Sequence, residues 1–118
     1  MITFAKAQVQ GRVGSVDVKD LDNNRKVANV SVASEESYKD GDEWKKIVTW
    51  VRIVTFNPAT VAYIERNVQV GREVFVSGRL RENKWEKEGV KHSTLELHAD
   101  EIEVGAKLNA EAGDEDAA

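Results

Sequence analysis

Apolar and polar residues alternate along most of this chain with a period of two, the repeat of a strand that buries one face. The alternation predicts a first strand from Ala5 to Val13 that continues, after Gly14, from Ser15 to Lys19. LDNNRK, residues 21–26, carries turn chemistry, because Asp and Asn tolerate left-handed backbone and bond locally. VANVSVAS, residues 27–34, predicts a second strand with Val30 and Val32 on one face, followed by a polar loop, SYKDGDE, centred on Asp40-Gly41. A third strand runs from Trp44 to Phe56. Asn57-Pro58 then has the form of a helix start, a capping side chain followed by a proline at the first helical position. Val61, Ile64 and Val68 recur at helical spacing, and Gly71 closes the segment. Residues 71–83 and 92–104 predict a fourth and a fifth strand around a hairpin near Lys87-Glu88-Gly89. In the fifth, Leu95, Leu97 and Ala99 alternate with Thr94, Glu96 and His98, the pattern of a half-buried strand.

Three strands, one helix and two further strands make an all-β chain in the order of a five-stranded OB-fold barrel, with the helix between strands 3 and 4. The expected organisation is one domain over residues 1–104 and a short, acidic, disordered tail over 105–118.

The third strand raises a question of chemistry. Val51 and Ile53, flanked by Thr49 and Thr55, already make a core face, yet the opposite face carries Trp44, Lys46, Trp50, Arg52 and Phe56, interrupted by Val48 and Val54. The fourth strand repeats the theme. Val74, Val76 and Leu80 take one face, and Phe75, Arg79, Arg81 and Trp85 share the other. Aromatics interleaved with cations suit single-stranded nucleic acid, whose unpaired bases stack on rings and whose phosphates need Arg and Lys nearby. Neither contact reads base identity, and duplex DNA hides its base faces within its own stack.

The outlying candidates carry two readings each. Tyr38 either stacks on a base or covers the barrel end, and Trp44 either extends the platform or staples the hairpin. Tyr63 reads as packing or a surface residue, Phe4 as packing, and Phe75 as facing DNA or a partner subunit. Lys6 and Arg12 are candidate phosphate contacts, and His92 and His98 read as surface residues.

Net charge is −4, which weighs against a polyanionic partner until its distribution is considered. The last eight residues, EAGDEDAA, hold four acids and no base, and without them the acids only equal the 17 bases. A neutral body can still sort its charge by face. The chain has no cysteine, which excludes disulfides and thiolate metal sites, and two histidines are too few to suggest a metal cluster. No cofactor is expected. No run approaches the roughly 18 apolar residues of a membrane span, so no membrane role is expected. Acidic pairs such as Glu35-Glu36 lack a partnered base or nucleophile, so no catalysis is expected.

VQGRVG, VANVSVASEES, TWVRIVTF, VGREVFVSGRLRENKW and HSTLEL, in this order, resemble the strands of the bacterial-type single-stranded DNA-binding protein family over roughly residues 5 to 104. The resemblance implies base stacking by Trp50, Phe56 and Trp85, with Tyr38 where a fourth aromatic often falls. It also implies a DNA path lined by Lys6, Arg52, Arg79, Arg81 and Lys84, beside the platform residues Trp44 and Lys46 and the candidate phosphate contact Arg12. It further implies a homotetramer, roles in DNA replication, recombination and repair, and a cytoplasmic, nucleoid-associated location. Two departures stand out. Val51 replaces a histidine common in the family at a position associated with subunit contacts, and the sequence stops at acids and two alanines where a hydrophobic tip that docks replication and repair proteins is usual. The second puts those partners in doubt and suggests a phage, plasmid or otherwise divergent member. The competing readings are a primosome-type OB-fold protein acting mainly as a protein bridge, an OB-fold nuclease and a pure protein-interaction barrel.

Overall fold

The structure, a computed structural model, describes residues 5–105. Strands β1 (Lys6–Asp20), β2 (Lys26–Asp40), β3 (Glu43–Thr55), β4 (Glu73–Lys87) and β5 (Val90–Val104) close into a barrel in the order β1-β2-β3-β5-β4. Helix α1 (Pro58–Asn67) lies between β3 and β4 in the sequence, as the OB-fold order requires. All pairings are antiparallel except β3 with β5, where only Arg52↔Glu96, Ile53↔Leu97 and Val54↔His98 close the barrel in parallel. The predicted acidic tail and Phe4 lie outside the described residues.

Alternation builds the interior as expected. Val13, Val30, Val32, Ile53, Val74, Val76 and Leu97 point inward and are buried, and Val61, Ile64 and Val68 bring the apolar side of α1 onto them. Asn57 caps the helix, its Oδ1 accepting from the amides of Ala59 (2.9 Å) and Thr60 (3.3 Å). The Tyr63 hydroxyl accepts from the Val104 amide at 3.1 Å, so this tyrosine ties α1 to β5. A bulge at Gly14 shifts the β1 register between Val13 and Ser15, and the extra residue returns Val16 and Val18 to the inner side. Asn23 and Asn24 hold positive φ in the β1–β2 turn.

Three expectations change. The predicted loop at residues 37–43 is the end of a continuous hairpin, with β2–β3 pairing unbroken from Ala28↔Thr55 to Asp40↔Glu43. Its polar side chains reflect an arm standing clear of the barrel in solvent, not a missing ladder. Residues 35–50 are accordingly all exposed, Thr49 among them, while Val51 is half-buried and Thr55 buried. Leu95, predicted on the core face, is exposed because that part of β5 belongs to a second arm, the β4–β5 hairpin, beyond the reach of the core. Val54, on the aromatic side of β3, is buried beneath its neighbours.

Candidate nucleic-acid interface

Pairing carries the outward positions of separate strands into two rows across the barrel. One row runs Ser31, Arg52, Glu96, Arg81 over β2, β3, β5 and β4. The next runs Asn29, Val54, His98, Arg79 over the same strands and reaches Lys6 on β1. Phe56 lies just past the end of β3, 53% exposed. Its ring stacks on His98, centroids 6.4 Å apart at 25°. Phe56, Arg79, Arg81 and His98 line a groove of ≈ 710 Å³, and Phe56, Arg81, Glu96 and His98 also line an adjoining hollow of ≈ 360 Å³ with Asn29 and Asn83.

Trp50 sits farther along β3, opposite Ala33, and is 61% exposed. Its indole reaches across β2 to the bulge in β1. A Cβ on Gly14 would lie 2.4 Å from Trp50 Cζ3 and 2.6 Å from Cη2, so the ring rests on bare backbone. Gly14 and the sequence-distant Ser31 form the shelf below it, with Ser31 Oγ 3.2 Å from that Cβ position and 2.7 Å from the Ser15 hydroxyl. Arg12 and Trp50 line one groove of ≈ 800 Å³, together with the acids Glu35 and Glu73.

Electrostatically, the centre of the surface is mixed rather than purely cationic. Glu96 is buried, with Oε2 3.6 Å from Arg52 Nε and Oε1 3.2 Å from His98 Nε2. Arg52 also donates to Asn29 Oδ1 at 3.4 Å. The arginine between Trp50 and Phe56 is therefore held in place by an acid from the neighbouring strand. Among the described residues, Arg79 and Arg81 form no ion pair, which leaves their guanidinium groups available to phosphate.

The arms carry the remaining candidates. Trp85, 44% exposed, stacks on its cross-strand partner His92 at 5.3 Å and 17°. Trp44, 71% exposed, and Lys46 follow Trp50 along one side of the β2–β3 arm. Tyr38, opposite Lys45, falls on the other side of that arm by the same alternation. Lys84 likewise alternates away from Arg81 and Trp85, and pairs with Glu82 at 3.2 Å. Phe75, between Gln10 and Glu103, sits on β4 well away from Trp85. The barrel thus brings together Lys6, Arg52, Phe56, Arg79 and Arg81, sets Trp50 and Arg12 beside them, and extends Trp44, Lys46 and Trp85 on the arms. Tyr38 and Lys84 stand apart from this set.

Sequence reading missed Glu96, His98 and His92. His98, read as a surface residue, is half-buried under Phe56. The signal was the outward alternation of Thr94, Glu96 and His98, but their arginine neighbours follow only from the β3–β5 and β4–β5 pairings.

The chain is a closed OB barrel that gathers exposed rings and cations on one outer surface. The sequence profile of the Single-strand binding protein family matches residues 4–105, and the chain belongs to that family. It is 30% identical over 111 residues to Single-stranded DNA-binding protein 1 of Xylella fastidiosa, covering 91% of this chain and 81% of that one. It is 32% identical over 78 residues to the Single-stranded DNA-binding protein of Rickettsia prowazekii, covering 64% of this chain and 51% of that protein. The chain therefore spans about half the length of such Rickettsia relatives. Among solved structures, the Plasmodium falciparum SSB complex with ssDNA superposes with a TM-score of 0.77 at 29% identity, covering 88% of this chain and 95% of that one. The small single-stranded DNA-binding protein of Streptomyces coelicolor shares the fold, with a TM-score of 0.71 at 19% identity, over 88% and 96% of the two chains. Among the described residues, no helix is long and apolar enough to cross a membrane.

Proposed function

We propose that this chain binds single-stranded DNA without regard to base sequence and shields it during replication, recombination and repair. The observation that carries the reading is the common outer surface on which Phe56 and Trp50 flank two rows containing Arg52, Arg79 and Arg81. Bases stacking on exposed rings gain about 1–3 kcal/mol each, and phosphates reaching the arginines release counterions. Family membership and the likeness to a solved complex with ssDNA support the same reading. Strand binding needs no cofactor and no catalytic step.

Competition binding tests it. A labelled oligo(dT) should be displaced by unlabelled single strands of any composition at similar concentrations, and by duplex only at far higher ones. Preference for one defined duplex site would overturn the reading. The primosome-type alternative is not favoured, since a protein bridge has no use for four exposed rings, Trp44, Trp50, Phe56 and Trp85, set among cations. We further propose a homotetramer joined through barrel strands, with half-buried Val51 supplying an apolar contact. A stable monomer by light scattering at micromolar concentration would overturn that assembly.

A further inference from the structure

We propose that His98 is a further contact for single-stranded DNA, paired to Glu96, and that it couples strand binding to proton uptake. The inference rests on the strand-binding reading above and deepens it. His98 combines three features: its ring extends the Phe56 stack, its Nε2 meets a buried carboxylate at 3.2 Å, and it lines the groove shared with Arg79 and Arg81. A strand stacked on Phe56 would bring its phosphates to those arginines, and so to the imidazole that shares a row with Arg79.

The charged groups facing His98 set the direction of the effect. Glu96 and Asp100 come from β5, Arg52 from β3, Arg79, Arg81 and Glu82 from β4, and Lys6 from β1 at the end of the same row. A bound strand neutralises arginines and adds phosphate anions, so the complex favours imidazolium more than the free protein does. An imidazole can respond between about pH 5 and 8. The DNA-bound state then holds more protons than the free state, and affinity rises as pH falls through that window and is lost as pH rises. His92 lies on Trp85, on the β4–β5 arm, and is the other imidazole to be separated.

Oligo(dT) is the suitable probe, because thymine has no group that titrates in this window. At fixed ionic strength, wild-type affinity is expected to increase about three- to tenfold from pH 8.5 to 5.5, as one more cationic contact becomes available. Calorimetry near pH 6.5, in two buffers of different ionisation enthalpy, should show net proton uptake on binding. His98→Gln should flatten the pH curve and abolish most of the uptake. His98→Phe, which keeps a ring on Phe56 but carries no proton, should do the same and guards against a packing defect in the first variant. His92→Gln should retain the pH dependence. A flat wild-type curve with strand binding intact would overturn the coupling alone, as would proton uptake that survives both His98 variants. Failure of the wild type to bind oligo(dT) at any pH would overturn the strand-binding reading together with it.

Discussion

Gly14→Ala separates stability from binding in a way that few substitutions here can. The new Cβ would fall 2.4 Å from Trp50 Cζ3, 2.6 Å from Cη2 and 3.2 Å from Ser31 Oγ. Real Cβ atoms do not approach other groups that closely, so something must move, and the indole, 61% exposed, is the freest of the neighbours. Gly14 is not among the residues of positive φ, so alanine fits its backbone and stiffens the unfolded chain, a gain of about 0.4–1 kcal/mol. Against this stands the small packing energy that an exposed ring gives up as it lifts from its shelf. The melting temperature is therefore expected to stay level or rise slightly. Binding should weaken, because a tilted ring offers part of the stacking energy, which is about 1–3 kcal/mol per base when whole. A loss of about 1 kcal/mol is close to fivefold in dissociation constant. The assay is a titration with oligo(dT) beside a thermal melt, completed as a cycle with Trp50→Ala. In the Trp50→Ala background, Gly14→Ala should have no further effect on affinity, since the ring it displaces is already gone. Equal weakening in both backgrounds, or wild-type affinity in the single variant, would refute the shelf.

Two further outcomes follow from other parts of the barrel. Glu96→Gln, measured at pH 8.5, should free Arg52 for phosphate and steepen the dependence of log affinity on log salt by about 0.7, the increment for one phosphate contact on a single strand. An unchanged slope would mean that Glu96 does not hold Arg52 back from phosphate. Asn57→Ala removes the acceptor for two helix amides and should cost about 1 kcal/mol in denaturant unfolding while leaving oligo(dT) affinity unaltered.

Much of the barrel was readable along the chain because its determinants are local. Val74 and Val76, or Val30 and Val32, mark an inner face by alternation, and Asn57-Pro58 announces a helix through the geometry of its first turn. The cations and rings of β3 and β4 were legible for the same reason, each strand showing its outer face in every second residue. The polar stretch at 37–43 misled because side-chain polarity reports exposure, and an arm in solvent is exposed whether or not its backbone is paired. Leu95 misled in the opposite sense, since alternation continues past the point where the barrel has a core to offer. The Glu96–His98–Arg52 cluster was hidden by topology. It exists because β5 enters beside β3 in parallel, a pairing of residues more than 40 apart that no local pattern encodes. The rest of Trp50 on Gly14 has the same non-local origin, crossing β2 to a bulge in β1.

The central claim, that rings on this face stack directly on unpaired bases, is tested most directly by intrinsic tryptophan fluorescence. Oligo(dT) should quench the emission of the wild type, while a duplex of equal length should not. Trp50→Phe and Trp85→Phe should each remove part of the quenching, because the proposed path of the strand crosses both indoles. Full quenching retained in both variants, or none in the wild type at saturating oligo(dT), would contradict the account and return these aromatics to a structural role.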